Sequence, residues 1–555
     1  MDNWKVSRRT ALKTLLLGSA APLVLRSAAF AASCDGIVRY GTTIAPDSMN
    51  PFATWSSFWP LVFTYDFLVG VDAQRHADRK GFAKEWSAAD DQLTWTFKIW
   101  PGMKWSDGHP ATAKDAAFTY NYLLGSIGKP DELNVGQNTT SGMEQIKSVT
   151  AVDDETLQIV TKSPSRWPTD NTTWIVPEHI WKDISYADAR STFRNDPLLV
   201  GTGPMIIAEF KQGQYVRLTP NQHFRTGQPK AAGMVIQLFS TQDPIAQGVK
   251  GGSLDRGGLT AAQWADFSKD PDITVFETRT EQRDYLAFNT TTGEGAGSTK
   301  ALADPAFRDA IGYAIDQKTL VDRAYRGHAD PGVGLVMPIA ADYYSELRDI
   351  RRHFDLEEAA RRLDAAGYRD TGGDGVRKDK DGKQFQLELI TGLFSGNGQP
   401  PLAAVQFVAG WLQQIGISVS VTQLDSGALG ARTAAPTKGG GGWDLLVASS
   451  WQTTSPHYLL SLGSSKEIGV GATGNPSYWS NEKFDKYLSD VDSTVDLKKS
   501  QELVDQGVRL IYTEAPYIIL AYPLSLSSYR NDCFKGWGTD LSDWSYYPLD
   551  RLAPV

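Results

Sequence analysis

The sequence is poor in the residues that build metal centres and covalent frameworks. Its 555 residues include two cysteines, Cys34 and Cys533, and seven histidines. No two histidines form an HxH, HxxxH or HExxH pair, so their spacing gives no sign of a catalytic zinc site. We therefore expect neither a bound metal nor a cofactor.

The motifs of common nucleotide-binding and hydrolytic enzymes are also missing. Neither a GxxxxGK[ST] loop nor a GxSxG elbow occurs. One GxGxxG pattern, at residues 469–474, follows no predicted strand and runs into Asn475 and Pro476, which do not open a helix properly. We expect a loop there, and a protein that is not an enzyme. A secreted hydrolase whose acid pair comes from distant segments is the alternative class.

The chain has no surplus of basic charge and, beyond its start, no long apolar run. Its net charge is −9, and because residues 1–31 hold five basic side chains and one acid, the remainder carries −13. Such an acidic surface argues against nucleic acid or anionic lipid as a partner. No later apolar stretch reaches the roughly 18 uncharged residues of a membrane-spanning helix.

The start of the chain has the organisation of an export signal. Arg8 and Arg9 precede an apolar stretch at residues 14–25, and small residues at 29–31 offer a cleavage signal. The segment SRRTALK resembles the twin-arginine export motif, although Ala11 stands where that motif usually has Phe. The alternative is a general secretory signal. Either signal places the mature protein outside the cytoplasm, and we expect it in the periplasm.

The rest of the chain mixes strand and helix patterns without an internal repeat. Apolar and polar residues alternate over residues 93–99, which predicts a half-buried strand. Turn residues follow at 105–110, and Thr112 with Asp115 then predicts a capped helix start. Apolar residues three and four apart predict another helix over residues 307–315. The pattern indicates a protein of the α/β class.

Seven blocks, in order along the chain, carry a resemblance to a known family. They are Tyr40 with residues 45–51, residues 94–123, 201–204, 307–316, 354–368, 414–417 and 478–485. Together they resemble solute-binding protein family 5, the receptors of ABC importers for dipeptides, oligopeptides, nickel and some oligosaccharides. The resemblance covers nearly all of the chain beyond its export signal.

The resemblance implies an α/β, two-lobed fold of the periplasmic-binding-protein type, with mixed sheets and a small extra domain in lobe I. The implied parts are a signal peptide (1–31), lobe I (33–78, 199–295 and 523–555), the small domain (79–198) and lobe II (296–522). The chain would cross between lobes near residues 289–301 and 516–523.

The resemblance also implies a role and a partner. The protein would be a monomer that captures a small-molecule ligand between its lobes and hands it to the membrane permease of an ABC importer. A sensor that docks on a signalling receptor is an alternative with the same fold.

The two cysteines form an even number in an exported chain, which suggests a disulfide between Cys34 and Cys533. Two free thiols are one alternative. Another is a lipid-modified Cys34, which follows a loose lipoprotein-like segment and would make the protein a cell-surface lipoprotein. The resemblance places both cysteines in lobe I, which favours the disulfide.

By resemblance, three segments would line the ligand cleft: residues 54–59, 285–289 and 449–457. The residues expected to contact ligand are Trp55, Phe58, Trp59, Tyr285, Asn289, Trp451, Thr454 and His457. The family's peptide receptors have, at the position of Thr454, an Asp that pairs with the peptide amine. Some also carry an Arg in the stretch that corresponds to residues 394–415, which here contains no basic residue.

These departures decide the expected ligand. Because an unpaired buried charge costs several kcal/mol, a free peptide should bind poorly. We therefore expect a neutral oligosaccharide stacked on tryptophan rings, with an oligopeptide or dipeptide as the alternative. His457 is expected to be a hydrogen-bonding loop residue, not a nickel ligand.

The export signal gives the first testable prediction. Replacing Arg8→Lys together with Arg9→Lys should stop the mature protein from appearing outside the cytoplasm, because the twin-arginine route reads the arginine pair. Fractionation of cells followed by immunoblotting measures this, with Lys13→Arg as the control. Normal export of the double variant would contradict the twin-arginine assignment.

Overall fold

The computed structural model describes residues 34–54, 58–71, 77–78, 81–134, 138, 140, 142–170, 173–393, 400–451, 455–469, 474–537 and 552–555, with backbone alone at 58–59, 71 and 77–78. The predicted signal peptide lies outside the described residues. Among the helices in those residues, none combines the length and the apolar character needed to cross a membrane.

Strands occur along the whole described chain. They are β1 (Ile37–Thr42), β2 (Gly70–Val71), β3 (Ala77–Asp78), β4 (Ala83–Ala88), β5 (Thr94–Ile99), β6 (Ile146–Asp153), β7 (Thr156–Thr161), β8 (Met205–Lys211), β9 (Tyr215–Pro220), β10 (Gly233–Leu238), β11 (Arg256–Gly258), β12 (Ile273–Arg279), β13 (Gln282–Phe288), β14 (Ala329–Pro331), β15 (Gln386–Gly392), β16 (Ser418–Leu424), β17 (Leu445–Trp451), β18 (Tyr517–Arg530), β19 (Phe534–Lys535) and β20 (Ala553–Pro554).

Helices alternate with these strands. They are α1 (Phe58–Leu61), α2 (Ala113–Leu124), α3 (Trp167–Asp170), α4 (Glu178–Trp181), α5 (Gln242–Lys250), α6 (Ala261–Phe267), α7 (Pro305–Tyr313), α8 (Gln317–Thr319), α9 (Leu356–Ala365), α10 (Leu402–Gln414), α11 (Ser426–Thr433), α12 (Pro456–Leu460), α13 (Glu482–Asp492) and α14 (Leu497–Glu514).

One long strand, β18, joins the two halves of the molecule. The main sheet has the order β16-β15-β17-β13-β18-β11-β1-β10-β9-β8, and β12 and β14 also pair with β18. The first residues of β18 pair with β13, where Ala287 lies opposite Tyr517 and Asp284 opposite Ala521. The later residues pair with β12, from Arg279 opposite Leu524 onward. On one side of β18, strands β13, β17, β15 and β16 form the sheet of lobe II. On the other side, β11, β1, β10, β9 and β8 form the sheet of lobe I. The sheet contains both parallel and antiparallel pairs and alternates with helices, which confirms the α/β class.

The chain also passes between the two halves at the β12–β13 connection. Strand β13 pairs with β17 along its whole length, so it belongs to the sheet of lobe II. The sequence placed residues up to 295 in lobe I and the first crossing at 289–301. The pairings favour an earlier crossing, between Arg279 and Gln282, beside the crossing in β18. The other domain boundaries stay predictions.

The small domain is built on an antiparallel sheet of order β4-β5-β7-β6. The predicted strand at residues 93–99 is β5, and the predicted helix start is confirmed at α2. Thr112 accepts a hydrogen bond from the N–H of Lys114, while the Asp115 carboxylate accepts one from the N–H of Thr112, 2.9 Å away. A capping pair of this kind satisfies N–H groups that have no partner inside the helix.

Apolar side chains form separate cores in the two halves. One large cluster runs through lobe I and the small domain, from Val38 in β1 to Leu157 in β7. Two further clusters cover the opposite faces of the lobe II sheet, around Leu286 and around Tyr285. Because side chains alternate across a strand, neighbouring residues of β13 enter different cores. The two halves can therefore hold their shapes independently.

A disulfide joins the two ends of the described chain. The sulfurs of Cys34 and Cys533 are bonded, across 499 residues of sequence. Cys34 lies just before β1, and Cys533 is buried in the lobe I core just before β19. The predicted pairing is thus confirmed, and it fixes the last segment beside the first strand.

Removing this bond gives the second prediction. Cys34→Ser with Cys533→Ser should lower the free energy of unfolding by about 2–4 kcal/mol, since a crosslink restricts the unfolded chain. Denaturant unfolding measures the difference, and the wild type under reducing conditions is the control. Thiol titration of the denatured, unreduced protein should find no free thiol. Two reactive thiols would contradict the bond.

Candidate ligand-binding cleft

The small domain and lobe II touch each other across the cleft, at what we name the closing contact (Arg166, Asp170, Tyr343 and Val495). Arg166 Nη1 donates to the carbonyl oxygen of Val495, 3.3 Å away, and the Val495 side chain packs against the core of lobe I and the small domain. Arg166 and Asp170 pair at 3.9 Å on the small-domain side. The structure therefore has its lobes together at this edge.

Burial governs the electrostatics of the closing contact. Burial raises the pKa of Asp170, although the charge of Arg166 and the hydroxyl of Thr169 partly offset it. Burial, together with the negative charge of Asp170, raises the pKa of Tyr343 to about 12. Tyr343 therefore stays a neutral phenol at physiological pH. Asp170 depends on Arg166 for its charge compensation.

The wall of lobe II begins where β17 ends. The Trp451 side chain is 47% exposed, although large apolar side chains are usually buried. Its backbone pairs with Gln282 at the start of β13, so the indole lies at the crossing between the lobes. Helix α12 starts five residues later and carries His457. An exposed indole on a fixed strand offers a flat apolar surface to a ligand.

A buried arginine fixes this wall. Arg283 in β13 donates from Nε to the Ser450 hydroxyl, 3.0 Å away, and from Nη1 to the Leu459 carbonyl, 3.1 Å away, and to the Leu335 carbonyl. Burial lowers its pKa to about 10, so it remains charged at neutral pH. The guanidinium thereby links the end of β17 to α12, which lie before and after the predicted ligand contact Thr454.

The neighbouring carboxylate is also buried. Asp284 accepts hydrogen bonds from the Tyr325 hydroxyl at 2.6 Å, from Gln282 Nε2 at 2.9 Å, and from the Ser449 hydroxyl. Burial raises its pKa to about 6, against the opposing effect of these three donors. Arg283 and Asp284 point to opposite faces of β13, so each binds a different side of lobe II.

The charge state of His457 is set by acidic residues of both lobe II and the small domain. Its Nδ1 lies 3.0 Å from both carboxylate oxygens of Asp492 at the end of α13. Burial opposes protonation of the ring, but Asp492 and the negative charges of Glu467 and Glu144 outweigh it and raise the pKa of His457. Glu144 belongs to the small domain and the other three residues to lobe II. We name these four residues the His457 group.

The structure brings together only some of the predicted ligand contacts. Arg283 links Ser450, next to Trp451, with Leu459, in the helix that carries His457. Tyr285 is buried in the lobe II core, with its ring 5.5 Å from that of Tyr517. Asn289 is buried too, and its Nδ2 donates to the carbonyls of Gly295 and Trp443. These contacts of Tyr285 and Asn289 are all internal to lobe II, and their role in ligand binding stays a prediction.

The remaining predicted contacts are not placed by the structure. Trp55 and Thr454 lie outside the described residues, and Phe58 and Trp59 are described by backbone alone. Their roles stay predictions.

The sequence analysis missed several residues that the structure makes prominent: Arg166, Asp170, Arg283, Asp284 and Asp492. One signal was available, since a charged pair inside the apolar strand pattern of β13 is unusual and marks a buried polar pair. The others belong to no motif and come together only through the fold.

Residues 79–469 match the profile of the bacterial extracellular solute-binding proteins, family 5 Middle. The chain is 25% identical over 463 residues to the oligopeptide-binding protein AppA of Bacillus subtilis, which covers 83% of this chain and 80% of that protein. It is 24% identical over 454 residues to the nickel-binding periplasmic protein of Escherichia coli strain K12, covering 79% of this chain and 80% of that protein.

The fold also matches solved structures. The structure of Bacillus subtilis AppA in complex with a nonapeptide has a TM-score of 0.71 and 23% identity, and it covers 93% of this chain and 98% of that one. The match confirms the two-lobed fold inferred from the sequence.

The His457 group gives the third prediction. The pKa of His457 should lie above its usual value of 6.5. A raised histidine pKa adds stability below pH 6.5 that disappears as the pH rises through the folded value. Because the ring is 38% exposed, screening should hold this below about 1 kcal/mol. Titration of the ring protons by NMR measures the pKa, and Asp492→Asn should lower it.

Glu144 provides the control for the arrangement of the lobes. Glu144→Gln should lower the pKa of His457 by less than Asp492→Asn does, because the Asp492 contact is the stronger one. An unchanged pKa in Glu144→Gln would contradict the approach of the small domain to lobe II.

Proposed function

Because the chain belongs to family 5 of the bacterial extracellular solute-binding proteins, we propose that it captures a peptide ligand in the cleft between its lobes and delivers it to the permease of an ABC importer. The protein acts outside the cytoplasm, in the periplasm, and works as a monomer. It binds and releases its ligand without a catalytic step.

The two neighbouring crossings between the lobes are the observation that carries this proposal. The chain passes from lobe I to lobe II between β12 and β13, and β18 extends from one lobe into the other alongside. Two adjacent connections act as a hinge, because a few backbone angles can change while each lobe keeps its core. A hinge of this kind lets the lobes close around a ligand and open again at the permease.

The ligand class differs from the one that the sequence favoured. The sequence analysis preferred a neutral oligosaccharide, but the relatives support the peptide alternative. One is named as an oligopeptide-binding protein, and its structure was solved with a nonapeptide. Trp451 suits either ligand, since an indole stacks on sugar rings and packs equally well against peptide side chains.

The peptide amine then needs a substitute for the aspartate that is absent at Thr454. The His457 group contains three carboxylates and one imidazole, so it is net negative even with a charged ring. Asp492 is 36% exposed and contacts His457, in the helix that starts five residues after Trp451. We propose that Asp492 takes the place of that aspartate and attracts the ligand's positive end.

The fourth prediction tests ligand class. Unmodified peptides of about three to nine residues should raise the melting temperature of the purified protein, since ligands that bind only the folded state stabilise it. Neutral oligosaccharides and nickel chelates should not. A thermal-shift screen of the three classes measures this, followed by calorimetry on the best peptide. Stabilisation by oligosaccharides with none by peptides would overturn the proposal.

Two variants locate the peptide site. Trp451→Ala should weaken the best peptide by about 2 kcal/mol if the indole is an anchor. Asp492→Asn should weaken it as well, and acetylation of the peptide amine should remove most of that difference. Asp490→Asn is the matched control, because Asp490 lies on the same helix, is similarly exposed at 40%, and pairs with Lys486. Equal losses in both Asp variants would contradict the role of Asp492.

A further inference from the structure

Three side chains with metal-binding atoms meet at an edge of the small domain, away from the cleft. Asp107 and His109 lie in the turn before α2, and His179 lies in α4. Asp107 Oδ2 is 2.8 Å from His179 Nε2 and 3.2 Å from His109 Nδ1. The two imidazoles stack, with ring centroids 4.3 Å apart. The three ligand atoms all lie within 4.8 Å of one another. We name these residues the Asp-His-His cluster.

The backbone holds the cluster in place without help from a metal. The N–H of Trp105 donates to the His109 carbonyl, 2.9 Å away, which closes the turn, and Gly108 at its tip has a φ of +92°. A positive φ of this size favours glycine. Helix α4 is tied to the same region, since the N–H of Glu178 donates to Asp115, 3.0 Å away. The ligand atoms are thus arranged in advance, which lowers the cost of binding an ion.

The distances suit a tetrahedral transition-metal ion. Zinc bonds imidazole nitrogen and carboxylate oxygen at about 2.0–2.1 Å, which places neighbouring ligand atoms roughly 3.3 Å apart. The two oxygen–nitrogen distances in the cluster, 2.8 and 3.2 Å, need only small adjustments. Two imidazoles and one carboxylate are also the ligand types that zinc prefers over magnesium or calcium.

A third imidazole lies over the same turn. A Cβ on Gly108 would be 3.7 Å from Nε2 of His223, so the His223 ring faces the turn from lobe I. The chain has seven histidines, and three of them gather at this edge from segments far apart in sequence. His223 or a water molecule can supply the fourth ligand of a tetrahedral site.

We propose that the Asp-His-His cluster binds one Zn²⁺ ion, at a site separate from the ligand cleft. The side chains of His109 and His179 are 61% and 29% exposed, so an ion can reach them from solvent. The turn also contacts lobe I, because the N–H of Ser106 donates to the Gly201 carbonyl at 3.0 Å. Where His223 is the fourth ligand, the ion also links the small domain to lobe I.

Calorimetry with ZnCl₂ tests the proposal on the purified, tag-free protein after removal of metals with EDTA. We expect one Zn²⁺ per chain. His109→Ala and His179→Ala should each weaken binding at least about 100-fold, since loss of a mere supporting partner already costs 10–100-fold. Zn²⁺ should also raise the melting temperature of the wild type but of neither variant. Melting curves in EDTA show whether the variants fold.

Two controls separate this site from other binding. His353→Ala removes an exposed histidine outside the cluster and should leave Zn²⁺ binding unchanged, as should His457→Ala at the cleft. A cobalt-substituted wild type should show the absorption of four-coordinate Co²⁺, and His109→Ala should not. Zn²⁺ binding that is absent, or that persists in both cluster variants, would overturn the proposal. Loss of binding in His457→Ala alone would overturn it too, because it would place the ion in the cleft.

Discussion

Strand β18 is the constraint on which the rest of the structure depends. Its first half hydrogen-bonds to β13 in lobe II and its second half to β12 and β11 in lobe I. Backbone groups buried in a sheet must keep their partners, so neither lobe can leave β18 without losing several hydrogen bonds. The region between the halves lies near Pro523, which has no N–H to donate. The proposed hinge lies here, with paired backbone on either side of it.

Two charged side chains are buried beside the crossing between the lobes. Arg283 and Asp284 lie just after the first crossing, and both are fully buried. Removing a charge from water is costly unless polar groups replace the water. Carbonyl and hydroxyl oxygens do this for Nε and Nη1 of Arg283, while hydroxyl and amide donors do it for Asp284. The same contacts fix the end of β17, so the exposed Trp451 is held in position next to the proposed hinge.

The small domain is linked to both halves by contacts of different strength. On one side its core is continuous with that of lobe I. On the other side, among the described residues, Arg166 donates a hydrogen bond of 3.3 Å to Val495 of lobe II, and the charge of Glu144 helps to raise the pKa of His457. Arg166 is partly buried at this contact, and the Val495 side chain adds an apolar contribution. The proposed opening of the cleft separates these contacts on the lobe II side, while the core that the small domain shares with lobe I stays intact.

The sequence by itself determined the mixed α/β class, the strand at β5, the capped start of α2 and the family. These features depend on residues close together in the chain, where a period of two or a cap three residues away is visible directly. The pairing of Cys34 with Cys533 was also within reach, because the chain has no other cysteine. Only the tertiary structure decided that β13 belongs to lobe II, that Asp492 contacts His457, and that His179 meets Asp107 across 72 residues. Such contacts follow from how sheets and helices pack, and the spacing of residues along the chain does not encode them.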